Sequence, residues 1–415
     1  MLPKGLRDFE PKIQKIRQKV FEKLIKIFER FGFEPLETPI IEYWETLKGK
    51  YGEEAEKKLI WRFKLPYSEK EYALRYDLTV PLARFVAEKK PKLPFKRYQI
   101  GPVFRYDEPQ RGRYREFFQA DYDIVGSEYP EADAEILNIT DKIFSEFKMD
   151  YKIKINHRGI IDGIVRSLKL EDKFFEICRI IDKKDKIGIS KVRGELEKIT
   201  DKANEIIEII TLPFEEAKEK IEKFEKCKES LKNIEEILEF YNSKNIEVDL
   251  SIVRGLDYYT GMVFEVVSNL KMYSLSGGGR YDNLIEKFAK VHIPAVGGSI
   301  GIERLIDSLV ELKILKEEKI IDVGVVYTEE KILKDAWKIA NKIREIANVY
   351  IDVSRKSFRD QINYLINKNV RYLIIVGKED LKNNEITFQD RETRERRKIK
   401  IEDLKDFLTS LFKNE

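Results

Sequence analysis

The chain has 415 residues, too many for one ordinary core, and 42% hydrophobic with 37% charged residues is the composition of a soluble multidomain globule. Lysine plus arginine (79) and aspartate plus glutamate (75) nearly cancel to +4, so charge alone announces no nucleic-acid binder and any such surface must be local. Two cysteines without CxxC spacing exclude a disulfide framework or zinc site and fit the cytoplasm, two histidines leave little for imidazole catalysis, and no apolar run reaches the roughly 18 residues of a membrane span.

In chain order, residues 1–10 are polar on the whole and contain Pro3 and Gly5, so they do not open a signal peptide. Pro11 starts a helix in which Ile13, Ile16, Val20, Leu24, Ile27 and Phe31 recur every three or four positions, and Gly32 ends it. Residues 33–41 read as a strand interrupted by Pro35 and Pro39, which assigns it to a sheet edge. Helix and edge strand together suit a dimer-forming unit and a plain surface element equally well.

From residue 93 to 126 the pattern is antiparallel. A strand at 99–106 enters a polar loop at 107–113, and a strand at 114–124 returns. On the return strand Phe118, Ala120, Tyr122 and Ile124 share one face, while Gln119, Asp121 and Asp123 share the other. The first face is core; the second can receive a ligand. Residues 168–241 are rich in lysine and glutamate, helical in period, and read as a helical insertion. Strand signals return at 250–253 and 261–267, followed by a glycine-rich stretch and a helix at about 301–312. After a charged linker at 313–319, strands at 322–327, 349–353 and 372–376 alternate with helices at 331–346 and 357–367. That order predicts a small α/β domain with a largely parallel sheet.

Four groups of residues carry chemistry. Arg254, Asp257, Tyr258 and Tyr259 lie on a turn between Gly255 and Gly261. Gly277, Gly278 and Gly279 precede Arg280, Tyr281 and Asp282 but form no Walker loop, and Gly297-Gly298-Ser299-Ile300-Gly301 is no dinucleotide fingerprint. Clustered with Arg280 and Arg304, these glycines point to an anionic ligand. Arg105, Arg111, Arg113 and Arg115 flank the hairpin loop, and guanidinium groups suit polyphosphate because they bind it bidentately and stay charged. The basic run 391–400, interrupted by Glu392 and Glu395, reads as a solvated hairpin.

These residues resemble the class II aminoacyl-tRNA synthetases, and within them the histidyl-tRNA synthetase family. Phe104-Arg105-Tyr106-Asp107 through Gly112-Arg113-Tyr114-Arg115-Glu116-Phe117 and Gln119 resembles the class motif 2 hairpin. Residues 37–41 around Pro39 resemble motif 1, and 298–304, ending Gly301-Ile302-Glu303-Arg304, resembles motif 3. Residues 254–261 with Phe264-Glu265, and 277–282, resemble the two histidine-specific signatures. Arg75-Tyr76-Asp77-Leu78-Thr79 is similar to the archaeal and eukaryotic branch, with aspartate where the bacterial branch has glutamate.

The resemblance implies an α/β and α+β multidomain protein. Its catalytic domain, an antiparallel sheet with helices, would span 1–167 and 242–315. A helical insertion would span 168–241, and a small α/β anticodon-binding domain 320–415. It implies ATP-dependent activation of L-histidine, then transfer to the 3′ end of tRNA(His), by a cytoplasmic homodimer with no membrane attachment. Arg254 would meet the α-phosphate and the substrate carboxylate, Arg105 and Arg304 the triphosphate, and Arg113 its β/γ end, with Mg²⁺ bridging the phosphates. Asp77, Thr79 and Gln119 would take the ammonium group. Asp123 and Tyr259 would take the two imidazole nitrogens, with Tyr258 and Tyr281 lining the pocket. Gln110 and Arg111 would meet the acceptor stem. Two other readings compete. A regulatory subunit of ATP phosphoribosyltransferase typically lacks the C-terminal domain, and a non-catalytic RNA-sensing module tends to lose the signature arginines and paired tyrosines.

Overall fold

The computed structural model describes every residue but 54, 111, 254–257, 269–270, 316–319 and 414–415. The chain divides into two compact units, 1–9 with 17–316, and 10–16 with 317–415. Strands number β1 (Glu34–Pro35), β2 (Ile41–Tyr43), β3 (Arg62–Lys64), β4 (Glu71–Leu74), β5 (Phe95–Phe104), β6 (Glu116–Val125), β7 (Lys152–His157), β8 (Ile246–Val248), β9 (Met262–Ser268), β10 (Lys271–Arg280) and β11 (Ala295–Gly301) in the first unit. Eight of them form one sheet in the order β1-β5-β6-β11-β10-β9-β7-β8. It is antiparallel throughout except for the edge pairs β1–β5 and β7–β8. A second, three-stranded sheet has the order β2-β4-β3.

The strand expected at 33–41 is mostly absent. Only Glu34 and Pro35 pair with β5, at the sheet edge, because Pro35 and Pro39 have no N–H to give a longer ladder. The helix before it, Pro11–Arg30, buries Val20, Leu24, Ile27 and Phe28, and Phe28 packs on Tyr98 and Tyr122 at 5.1 and 5.4 Å between centroids. Gly32, at φ +74°, turns the chain out of the helix, a conformation that costs glycine nothing.

The strand pair of 93–126 is longer at its start than the sequence suggests, since β5 begins at Phe95. The strand expected at 250–253 is a turn instead; the pairing residues are Ile246–Val248, beside β7. Between Phe174 and Phe240 every long element is a helix, with Pro213 at the cap of Phe214–Ile221, where a missing N–H costs nothing. Cys178 and Cys227 are buried and free there, and burial pushes both thiols up to about 12.

The second unit contains β12 (Val323–Tyr327), β13 (Val349–Ile351), β14 (Tyr372–Val376), β15 (Glu385–Asp390) and β16 (Arg396–Lys400), ordered β13-β12-β14-β15-β16. Its βαβαβ half is parallel, as the alternation predicts. The sheet as a whole is mixed, because β15 and β16 add an antiparallel hairpin. The reading of 391–400 as a solvated hairpin agrees with four exposed residues among the five of β16. Ser357 caps the helix Phe358–Asn367 by accepting from Asp360 N at 3.2 Å.

Candidate active site

The period of β6 builds the floor of the site. Ala120, Tyr122 and Ile124 turn into the core, and the Tyr122 hydroxyl bonds Thr140 Oγ1 at 2.6 Å. Gln119, Asp121 and Asp123 turn to the opposite face and line a cavity of about 500 Å³. The neighbouring strands leave room above them. A Cβ on Gly297 would stand 2.0 Å from Asp123 Oδ1, and one on Gly278 would stand 2.1 Å from the Gly297 carbonyl. Glycine at 297 lets β11 lie against the Asp123 carboxylate, and glycine at 278 lets β10 lie close against β11. The glycine runs are therefore strand, not phosphate-binding loop.

One end of the cavity is acidic. Asp123 accepts a hydrogen bond from the Tyr281 hydroxyl through Oδ1, and its Oδ2 lies 2.8 Å from Arg97 Nη2. Arg97 is wholly buried on β5, directly opposite Asp123 in register. Burial pushes the Asp123 carboxyl up, and Arg97 and the Tyr281 hydroxyl work against that shift. Asp121 has less help: burial, with Asp123 nearby, pushes it to about 7 even though Arg97 opposes the shift. Gln119 donates from Nε2 to Ser299 Oγ at 2.7 Å. Gln119 Oε1 and Asp121 Oδ1 are buried acceptors with no hydrogen-bond partner among the described residues. Such groups are costly to leave unpaired, so they mark where a donor belongs.

Asp77 lies on the same wall. Its Oδ1 accepts from Tyr51 Oη at 3.1 Å and from Val80 N at 3.0 Å, which also satisfies an early N–H of the helix Thr79–Lys89. Burial raises its pKa, against the Val80 N–H and the Arg105 charge. The rings of Tyr258 and Tyr259 stand 4.6 Å apart, and Tyr258 meets Tyr281 edge-on at 6.2 Å. Burial pushes all three phenols upward, so at neutral pH they keep their protons and can donate.

The other end is basic. Arg105 donates from Nε to the Tyr76 carbonyl at 3.1 Å and lies over the Tyr76 ring at 4.4 Å. Arg304 donates to the carbonyls of Gly112 at 3.0 Å and Ser274 at 2.8 Å. Arg113 lines the cavity beside them. For Arg105 the carbonyl and the ring orient the guanidinium without cancelling its charge.

Arg280 is the correction among the arginines. It does not line the cavity. It follows the three glycines on the opposite face of β10, where it is clamped by Asp133, Asp282 and the carbonyls of Ser127 and Tyr129. Its charge is spent inside the protein, so it cannot serve an anion.

Asp77, Thr79, Arg105, Arg113, Gln119, Asp123, Tyr258, Tyr259, Tyr281 and Arg304 thus share one cavity, as their grouping in the sequence analysis requires. Gln110 lies apart, at the loop tip, where its backbone pairs with that of Arg113. Arg254 and Arg111 lie outside the described residues. Arg97, Tyr51, Tyr76 and Ser299 were missed. A strand starting at 99 hides Arg97, and extending the same alternation back through β5 would have placed it opposite Asp123.

Residues 5–305 match the family model described as histidyl-tRNA synthetase, and residues 322–411 match that of the anticodon binding domain. The first match covers well over half of the chain. The chain belongs to the histidyl-tRNA synthetase family. Relatives named histidine–tRNA ligase include one from Nanoarchaeum equitans, 51% identical over 97% of this chain and 98% of its own. Another, from Aeropyrum pernix, is 44% identical over 93% and 92%. A solved histidyl-tRNA synthetase from Nostoc sp. PCC 7120 superposes with a TM-score of 0.84 at 27% identity, covering 99% of both chains. Membership makes the chain an aminoacyl-tRNA synthetase, an enzyme that uses ATP and charges tRNA with histidine. No helix among the described residues is long and apolar enough to cross a membrane.

Proposed function

We propose that this charging runs in the one cavity, with histidine at its acidic end and the triphosphate of ATP at its basic end. The observation that carries the assignment is the pair of unpartnered buried acceptors, Gln119 Oε1 and Asp121 Oδ1, facing the same space as Arg105, Arg113 and Arg304. A zwitterion with a cationic end fits the first group, and a polyanion fits the second.

In the first step a carboxylate oxygen of histidine attacks the α-phosphorus and the bond to pyrophosphate breaks, leaving histidyl-adenylate. Two anions must approach, so fixed cations are the main requirement. Arg254 meets the α-phosphate and the carboxylate, Arg105 and Arg304 hold the triphosphate, and Arg113 covers its β/γ end. Among the described residues no cluster of three His, Cys, Asp or Glu side chains suits a resident metal. Mg²⁺ would enter with ATP as part of the substrate, the usual habit of this ion.

Asp77, Thr79, Gln119 and Asp121 surround the ammonium group. Asp123, held by Arg97 and the Tyr281 hydroxyl, accepts from one imidazole nitrogen, and Tyr259 addresses the other, with Tyr258 closing the wall. An apolar amino acid would leave these buried groups unpaired, which is a strong basis for rejection. In the second step the terminal ribose hydroxyl of tRNA(His) attacks the adenylate carbonyl and AMP leaves. Gln110 and Arg111 meet the acceptor stem. The unit 320–415 reads the anticodon, 168–241 forms the helical insertion, and 1–167 with 242–315 forms the catalytic domain. The enzyme works in the cytoplasm as a symmetric homodimer, which light scattering at micromolar concentration tests directly.

Histidine-dependent exchange of labelled pyrophosphate into ATP tests the activity. Exchange that requires histidine supports it; binding of histidine without exchange would favour a regulatory protein instead.

A further inference from the structure

Residues 1–9 belong to no helix or strand and none of them lines the cavity, yet they lie against the hairpin that carries Arg105 and Arg113. Arg115 N donates to the Gly5 carbonyl at 2.9 Å, and Arg115 O accepts from Arg105 N at 2.9 Å. One residue of the return arm thus ties this segment to the outgoing arm. Gly5 has φ +86°, and a Cβ there would stand 2.8 Å from Arg115 Cγ and 2.9 Å from Pro109 Cγ. Glycine alone takes that turn and lets the backbone lie so near the loop. Lys4 adds an ion pair with Glu108 of the loop.

Arg7 makes the next contact. Its guanidinium stands 3.7 Å from the centroid of the Tyr114 ring and 4.7 Å from that of Phe9. Phe9 lies in turn under Arg17, at 3.9 Å, and Arg17 is fixed in the core. It pairs with Glu303 at 2.7 Å, both side chains being buried, and the other oxygen of Glu303 accepts from Phe118 N at 2.9 Å. The far end of the segment is therefore anchored to β6 and to the helix Ile302–Glu311, while its near end holds the loop.

Arg113 is the side chain with most to gain from this. It is exposed yet lines the cavity, so its direction depends on the backbone that bears it. That backbone is held on one side by Arg304, which donates to the Gly112 carbonyl at 3.0 Å, and by a turn in which Arg113 N donates to the Gln110 carbonyl at 2.8 Å. On the other side the next residue is Tyr114, the one that Arg7 covers.

We propose that Arg7 is a positioning residue: it holds Tyr114, and with it the backbone of Arg113, so that the Arg113 guanidinium meets the β/γ end of the triphosphate. The inference rests on the assignment of Arg113 to that end of ATP. A cation on an unfixed loop must be ordered when the ligand arrives, and that ordering weakens binding; a loop already held loses less. A cation–π contact of this kind is worth about 3- to 30-fold in an equilibrium constant.

Pyrophosphate exchange by the full chain tests it, with ATP and histidine each varied against a saturating partner. Arg7→Ala is expected to raise the KM for ATP about 3- to 30-fold and to leave that for histidine within about twofold. Arg7→Lys, which keeps a cation for the ring, should recover most of the loss. Gly5→Ala forces segment and loop apart and should raise the same KM selectively. A general loss of packing would raise both KM values together, and that result overturns the proposal. The deciding measurement is the double substitution. In an Arg113→Ala background Arg7→Ala should raise the KM for ATP less than about twofold more, because no guanidinium is left to place. Effects that multiply in full would show that Arg7 acts elsewhere, and would also overturn it. Should Arg7→Ala fail to fold, Gly5→Ala decides by the same criteria. An unchanged KM for ATP in Arg7→Ala beside a raised one in Arg113→Ala removes the role of Arg7 alone. An unchanged KM for ATP in Arg113→Ala removes the assignment beneath it as well.

Discussion

The two ends of the cavity solve opposite electrostatic problems with the same kind of economy. At the acidic end Asp123 bonds the Tyr281 hydroxyl and pairs with Arg97 at 2.8 Å, while Asp121 Oδ1 and Asp123 Oδ2 have no hydrogen-bond partner among the described residues. At the basic end Arg105 and Arg304 donate to backbone carbonyls, which fix their direction at the cavity wall. Arg280 shows what happens otherwise. Beside Asp133 and Asp282 it is a structural ion pair, however suggestive its neighbours in the sequence. The lesson is that residue type does not decide whether a buried charge serves the fold or a ligand; the charge of its partners does.

The sharpest way to break this comparison is at Arg254, which is proposed to meet both the α-phosphate and the substrate carboxylate. Arg254→Ala should lower kcat for adenylation by about 10²–10³-fold, the usual cost of one donor to a transition-state charge, while ATP binding changes little. Single-turnover measurements of adenylate formation would show it, and a near-normal rate would remove the residue from the mechanism.

A smaller effect is expected at the acidic end. Asp123→Ala deletes a charge-assisted hydrogen bond worth roughly 1.5–3 kcal/mol, so the KM for histidine should rise about 10- to 150-fold. The same change strands Arg97, which is wholly buried, so a lower Tm should accompany it. Intact selectivity for histidine over other amino acids would refute the assignment.

The smallest effect concerns protons. Burial, against the Arg97 charge, pushes the Asp121 carboxyl up to about 7. Its protonated form has no charge to pair with an ammonium group, so kcat/KM for histidine should fall up to about tenfold per pH unit below that value. The substrate's own imidazole titrates nearby, and Asp121→Asn separates the two by losing only the protein's share. The linkage to stability has the opposite sense. The folded pKa lies above the unfolded value, so between about 4 and 7 the folded state holds the extra proton and stability falls as pH rises. Asp121→Asn should therefore raise the Tm of the free protein at pH 7, and histidine should no longer stabilise it as well. An unchanged Tm together with an unchanged pH profile would show that Asp121 carries no burden.

Much of this was legible in the sequence because it followed from local periods. The two-residue period of β6 put Gln119, Asp121 and Asp123 on one face, and the alternation after residue 322 gave the βαβαβ order of the second unit. What was hidden depended on distance along the chain. Arg280 reads as an anion ligand until Asp133, 147 positions away, is seen beside it. Arg97 was missed with the strand start. Nothing near Asn156 in sequence announces that its amide holds carbonyls 94 and 96 positions further on. Pro35 and Pro39 correctly signalled an edge, but the same missing donors left too few hydrogen bonds for the full strand.

The central claim is that the cavity is divided by charge, and crossed substrate dependence tests it most directly. Asp123→Ala and Arg304→Ala would be compared in one pyrophosphate-exchange assay, with histidine and ATP each varied against a saturating partner. The division predicts that Asp123→Ala raises the KM for histidine and leaves that for ATP within about twofold, and that Arg304→Ala does the reverse. If both variants raised both KM values together, the cavity would not be divided in this way and the assignment of its two ends would fall.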